Sequence, residues 1–406
     1  MGRERITILD GGMGTTLECL GHSVSSELWG SELIFENPDI IQGIHQKYYE
    51  AGADLVETST YQLTQNNLSS YLKSTSKEEL SESEYERKSQ GILKSAVNLV
   101  YNSIPSSSSS SSSEKKGVVF SCGPYGSTLK PGAEYSGLYP KPFGPNSRER
   151  NYFQDSEIEE EENSIEKLSE FHLSKLLNIA LNEEIWKKIE WIGFETIPLL
   201  YEIKSIRRCM KKLNKILRNK YSNIENNEGN DEIWFIKKFW ICSPFPDGEF
   251  PQLNSSGSNQ HVPIEDVVDT LLNNSNENLG PLPNGIGINC TNPKYLLDLS
   301  KKFTFALSQK IKIGDVKLSS RPIFVLYPDG GQVYDVNTRT WSIPTNGPAS
   351  SEEWSKGILQ VVNDVESTKG DNSEYIWNGV IVGGCCKTSF DDIKALKRNL
   401  DDQILQ

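Results

Sequence analysis

Short apolar runs alternate along this chain with longer stretches of helical periodicity. The runs cover residues 6–10, 54–60, 118–122, 191–196, 239–243, 285–290, 323–327 and 380–384. Each is nearly continuous in β-branched, aromatic or aliphatic residues, as expected of strands covered on both faces. The stretches between them carry helix punctuation. Asn37-Pro38-Asp39 opens a segment with Ile40, Ile41, Ile44 and Tyr48 on one face, closed by Gly52. Ser164 opens another with Ile165, Leu168, Phe171 and Leu176. Asn292-Pro293 precedes Leu296, Leu297 and Leu299, and Asp391-Asp392 precedes Ile393, Leu396 and Leu400. Helices also fit after the second, fourth, fifth and seventh runs. Eight strand–helix units in series predict an α/β fold of the (β/α)8 barrel type. A doubly wound open sheet is the alternative, but no G-x-G-x-x-G follows the first strand.

Four segments break the pattern, near residues 103–116, 141–163, 219–232 and 246–263. The first holds an unbroken serine run from Ser106 to Ser113, and the second an acidic run from Asp155 to Glu162. Such compositions bury little apolar area, so they read as solvated loops inserted into one barrel domain spanning 1–406.

Charge narrows the partners. The 406 residues include 42 basic and 55 acidic side chains, a formal net charge of −13. That balance argues against nucleic acid or an anionic membrane surface as partner and leaves small molecules. No signal-peptide core and no stretch of membrane-spanning length occurs, which predicts a soluble, cytoplasmic protein. Seven cysteines in this length, with Cys385 and Cys386 adjacent, suit metal or thiol chemistry better than a disulfide framework. Oligomeric state is not legible.

A barrel places its chemistry at the C-terminal ends of its strands. There the chain puts Asp10 after the first strand, Glu195 after the fourth, Asn289-Cys290 after the sixth and Cys385-Cys386 after the eighth. Three thiolates form a soft ligand set that can hold Zn2+ with a fourth position open. Buried, inert thiols are the other reading, and Cys19, Cys122, Cys209 and Cys242 fall under it. His22, His45, His172 and His261 form no ligand pattern and read as satisfied or surface histidines. Asp10 and Glu195, facing a barrel mouth, need a cation. It is either a lysine or arginine of the chain or the ammonium of a ligand. Gly11-Gly12-Met13-Gly14 lacks a P-loop lysine and reads as backbone fitted to a ligand.

With these residues in view, the chain resembles the homocysteine S-methyltransferases. This zinc-dependent family includes enzymes using S-methylmethionine, S-adenosylmethionine or betaine as methyl donor. The matching pieces run from Ile8-Leu9-Asp10-Gly11-Gly12-Met13-Gly14 through Thr60-Tyr61-Gln62, Gly123-Pro124-Tyr125-Gly126 and Glu134-Tyr135. They continue with Phe194-Glu195-Thr196, Gly287-Ile288-Asn289-Cys290 and Gly383-Gly384-Cys385-Cys386. The resemblance implies one zinc ion held by Cys290, Cys385 and Cys386, with a position left for the homocysteine sulfur. It implies that Asp10 and Glu195 hold the homocysteine amino group. Trp29, Thr60, Gln62 and Tyr125 would then line the pocket, and Asn289 would contact substrate. The expected reaction is methyl transfer from a sulfonium donor to homocysteine, giving methionine, as in the yeast-like members. Betaine as donor, selenocysteine as acceptor, or a non-catalytic zinc-binding barrel are the alternatives. One departure stands out: Tyr327-Pro328-Asp329-Gly330-Gly331-Gln332 replaces the family's Tyr-Pro-Asn-Ser-Gly-Glu.

Overall fold

The computed structural model describes residues 5–404, apart from 25, 27, 76–79, 107–115, 146–148, 222–232, 257–258, 275–278, 336–339, 343–346, 349 and 372. In chain order the elements begin with β1 (Ile6–Ile8), α1 (Met13–Cys19), α2 (Leu33–Glu36), α3 (Pro38–Ala51), β2 (Leu55–Glu57), α4 (Gln65–Thr75), α5 (Glu82–Asn102) and β3 (Gly117–Cys122). They continue with α6 (Ile158–Ala180), α7 (Glu183–Lys188), β4 (Ile189–Phe194), α8 (Leu200–Tyr221), β5 (Lys238–Ser243), α9 (Ile264–Leu272) and β6 (Gly285–Asn289). The last group is α10 (Leu296–Lys312), β7 (Ile323–Tyr327), β8 (Val333–Asp335), β9 (Thr340–Ser342), α11 (Ser351–Ser367), β10 (Val380–Val382) and α12 (Phe390–Ile404).

Eight strands pair in the order β1-β10-β7-β6-β5-β4-β3-β2, and every pairing is parallel. A parallel bridge between Leu9 and Leu55 joins the two ends, supported by Asp54 N–H donating to Ile8 O at 2.7 Å. The expected barrel is therefore the observed one, with all eight strands where the apolar runs place them. A small antiparallel hairpin of β8 and β9, in the loop after β7, is an addition that the sequence pattern did not suggest.

Two layers of core hold the barrel. Inside it, Leu9, Leu55, Val119, Trp191, Trp240, Val325 and Ile381 pack together. Outside, the strands bury Ile8, Val56, Phe120, Ile192, Ile241 and Phe324 against helix residues such as Ile44, Val97, Leu176 and Ile206. Side chains of a strand alternate between these layers, and that alternation decides what reaches the mouth. Along β2 and just beyond it, Leu55, Glu57 and Ser59 share the inner face. Along β4, Trp191, Gly193 and Glu195 do so.

Two of the four expected insertions differ from the solvated loops predicted for them. Residues 158–163 are the first turns of α6, not loop. Acidic side chains favour a helix N-terminus, and here they also meet basic residues of α8. Glu161 pairs with Lys204 at 2.7 Å and Glu162 with Arg208 at 2.6 Å. In the 246–263 segment, Phe250 and Val262 are buried, and Asn151 ties in Pro251 O and Leu253 N at 2.9 Å each. Most of the serine run and most of 219–232 lie outside the described residues. No helix among the described residues is long and apolar enough to cross a membrane.

Candidate active site

A cavity of about 230 Å³ opens at the C-terminal ends of the strands. One arc of its wall is anionic. Asp10 lies two residues past β1 and is 3% exposed, and Glu195 follows β4 and is 6% exposed. Glu57, the last residue of β2, lies between them on the cavity lining. Asp10 Oδ2 accepts the Glu57 N–H at 3.0 Å, while Asp10 Oδ1 and Glu57 Oε1 are buried without a hydrogen-bond partner. Glu195 accepts a short hydrogen bond from the Ser121 hydroxyl. Burial above all pushes the Asp10 and Glu57 acids well above the usual range, with the neighbouring carboxylates adding to it and, for Asp10, the Glu57 N–H opposing it. Burial raises Glu195 to about 7 against the Ser121 bond and the Lys175 charge, which pull it down.

None of these three carboxylates forms a salt bridge among the described residues. The one nearby buried ammonium, Lys175, donates to the Thr60 and Tyr61 carbonyls at 2.6 and 3.1 Å. An ion pair within the chain, one of the two readings open for Asp10 and Glu195, is therefore not seen among the described residues.

Another part of the wall carries sulfur. Cys290 follows β6 and Cys385-Cys386 follow β10; their three Sγ atoms lie within 4.8 Å of one another. Gly12 makes this convergence possible, since a Cβ there would sit 2.4 Å from Cys385 O. Thr196 Oγ1 donates to Cys290 Sγ at 3.9 Å. Backbone strain concentrates around the cavity. Of six non-glycine residues with positive φ among the described residues, Trp29 (49°), Thr196 (60°), Cys290 (46°) and Lys387 (59°) are four. Each such position costs about 1–3 kcal/mol, a cost the surrounding barrel absorbs to aim these side chains.

The sulfurs of Cys290 and Cys385 are joined as a disulfide, with Cα atoms 5.5 Å apart. Cys386 is free, its thiol pushed up to about 12 by burial. This is one pair and not the disulfide framework that the cysteine pattern argues against. Thiols brought this close for a metal are equally close enough to oxidise in pairs. The donor set itself is soft, all sulfur and three in number, which fits a thiophilic divalent ion. Cys122, Cys209 and Cys242 are buried, as expected of inert thiols, whereas Cys19, read the same way, is exposed at the end of α1. His172 is buried and bonded to Glu202 at 3.1 Å. His45 departs from the satisfied-or-surface reading: it is fully buried with both ring nitrogens unpartnered.

Trp29, half-exposed, and Gln62 join the cavity lining as expected. Three other expected residues do not. Thr60 has the opposite parity from Glu57 and points into the wall, donating to Ser121 O at 2.8 Å. Tyr125 packs flat on Phe143, ring centroids 3.9 Å apart, in a cluster beside the cavity. Asn289 is buried behind the site. Its Oδ1 accepts from Thr196 N at 2.8 Å and its Nδ2 donates to Thr196 Oγ1 at 2.7 Å. Asn289 therefore sets the strained turn that follows Glu195. Glu57 lines the cavity without having been singled out, and Glu134 and Tyr135, quoted above only among the matching pieces, line it too. The inner-face alternation along β2 would have exposed Glu57. The divergent loop after β7 stays off the cavity wall except at Tyr327. It braces Cys386, whose carbonyl accepts Gly330 N–H at 2.8 Å. Asp329 caps the loop by accepting Gly331 N–H at 2.7 Å.

Comparison with known proteins agrees with this geometry. The family profile described as homocysteine S-methyltransferase matches residues 7–400. The chain is 28% identical over 393 residues to homocysteine S-methyltransferase 1 of Brassica oleracea var. italica, covering 97% of this chain and 93% of that protein. It is 27% identical to homocysteine S-methyltransferase 1 of Arabidopsis thaliana, with the same coverage. The metallated crystal structure of the homocysteine methyltransferase MmuM from Escherichia coli shares the fold, with a TM-score of 0.57 at 20% identity over 97% of this chain and 96% of that one. A match across nearly the whole chain settles the lineage: this protein belongs to the homocysteine S-methyltransferase family.

Proposed function

We propose that this methyltransferase, a single barrel domain, moves a methyl group from a sulfonium donor, S-methylmethionine or S-adenosylmethionine, to the sulfur of L-homocysteine. One observation carries the reading: a single cavity is lined both by a cluster of cysteine sulfurs and by carboxylates that form no salt bridge among the described residues. Homocysteine has one end for each, a thiol and an ammonium.

Cys290, Cys385 and Cys386 would hold one zinc ion, whose chemistry when bound is to make a coordinated thiol a thiolate at neutral pH. Asp10 and Glu195 bind the substrate ammonium and so fix the direction in which the thiol points. In the transfer, homocysteine loses its thiol proton and a new S–CH3 bond forms. The donor's S–CH3 bond breaks, and its electron pair stays on the donor sulfur, which becomes neutral. The barrel's contribution is alignment of the two sulfurs, the largest saving available to a bimolecular step. Trp29 and Tyr61 offer aromatic faces, and Glu134 a buried carboxylate oxygen without a partner, to a donor that is cationic before transfer and neutral after it. A reducing compartment such as the cytoplasm suits thiol ligands. The partners are small molecules.

Two substitutions test the assignment. Cys385→Ser is expected to lose zinc and activity together; full zinc occupancy in that variant contradicts the ligand set. Glu195→Ala is expected to raise the homocysteine KM by about tenfold or more, the worth of one charge-assisted hydrogen bond. An unchanged KM removes the amino-group role.

A further inference from the structure

The two carboxylates assigned to the substrate ammonium are accompanied by a third. Glu57 shares the inner face of β2 with Leu55, which packs in the barrel interior. Its Oε1 is buried and has no hydrogen-bond partner. Its backbone N–H is tied to Asp10 Oδ2 at 3.0 Å, so the positions of the two side chains are linked. Asp10, nine-tenths buried on the same lining, also leaves Oδ1 without a donor. Lys175, whose charge reaches Glu195, and Lys387, on the cavity lining, both have partners of their own. Lys175 serves the Thr60 and Tyr61 carbonyls, and Lys387 pairs with Glu18 at 2.7 Å.

We propose that Glu57 is a third carboxylate of the ammonium subsite and a specificity residue for the acceptor. Resting on the homocysteine reading above, this names what that site selects: a thiol bearing a primary α-ammonium. A primary ammonium has three N–H donors, and Asp10, Glu57 and Glu195 offer an acceptor for each. An acceptor without the amine leaves buried carboxylates unpaired, which is the strongest form of discrimination a polar pocket has. A quaternary or acylated nitrogen cannot donate to all three.

The test compares wild type, Glu57→Gln and Glu57→Asp, reduced and zinc-loaded, with homocysteine and with 4-mercaptobutanoate, its analogue lacking the amine. Glu57→Gln keeps the shape and removes the charge. It is expected to raise the homocysteine KM by about tenfold, with kcat within about twofold, and to leave the analogue's KM unchanged. The preference for homocysteine thus falls about tenfold, and Glu57→Asp recovers part of it. A parallel loss on both acceptors, or no loss on either, overturns the assignment and makes Glu57 structural. Thermal stabilisation of the metal-free proteins by methionine gives a second readout, expected to shrink in Glu57→Gln. If wild type does not methylate homocysteine, the reaction reading falls and this titration alone decides. Equal stabilisation of wild type and Glu57→Gln then overturns the role of Glu57.

Discussion

Cys290 and Cys385 serve a metal only as thiolates, and a disulfide sulfur is not one. The bond between them and a three-sulfur metal site are therefore mutually exclusive states of the same residues. Protein isolated without reductant is expected to bind well under one equivalent of zinc and to gain one after dithiol treatment, by metal analysis alongside thiol titration. One tightly held zinc with the Cys290–Cys385 bond intact contradicts the ligand set. His45 makes a different single-residue prediction. Burial holds its pKa near 3 against an ordinary 6.5, so the fold keeps it neutral while the unfolded chain takes up a proton below 6.5. The unfolded state then binds more protons, and stability falls as pH drops from about 6.5 toward 3, by up to about 1.4 kcal/mol per pH unit. The buried carboxylates, with raised values, slope the other way. The comparison of wild type with His45→Leu isolates the histidine: urea midpoints of the variant are expected to decline less between pH 6.5 and 4. Parallel curves would mean His45 is protonated in the fold.

At the scale of elements, close approach and parity do most of the work. The loop after β1 reaches Cys385 because residue 12 has no side chain. Gly12→Ala is expected to displace the Cys385 backbone and weaken zinc binding while the far-ultraviolet spectrum stays that of a barrel; unchanged zinc affinity would show that the loop can give. Lys175, on α6, pins the Thr60–Tyr61 turn of the cavity wall by its ammonium. Lys175→Met strands two carbonyls and is expected to cost roughly 2–3 kcal/mol by chemical denaturation and to raise the donor KM. A cost below 1 kcal/mol would mean water takes over the carbonyls. The eight strands were legible because continuous apolar runs bounded by glycine or polar residues have few other uses. The start of α6 was not, because a run of glutamates looks solvated until the basic face of α8 is placed beside it. The directions of Thr60 and Tyr125 were not legible for one reason: a motif fixes position along the chain, while the pleat and local packing fix which way the side chain points. Glu57 was overlooked for the converse reason, as a charged residue inside a strand that no motif draws attention to.

For the whole molecule, the parallel barrel is what unites residues nearly 400 positions apart. Asp10 and Cys385 meet because β1 pairs β10, and Glu195 joins them from across the mouth. The result is one cavity lined by carboxylates from the β1, β2 and β4 ends and by sulfurs from the β6 and β10 ends. Asp10, Glu195 and the three cysteines could be placed on this rim from the sequence once strand ends were identified; Glu57 and the hydrogen-bond partners could not, since pairing is a property of the closed barrel. The direct test is methyl transfer from S-methylmethionine to carbon-labelled homocysteine by the reduced, zinc-loaded protein, the label being needed because both products are methionine. The account predicts labelled methionine formed in step with loss of labelled homocysteine. One equivalent of bound zinc with no labelled methionine, from this donor or from S-adenosylmethionine, would contradict it.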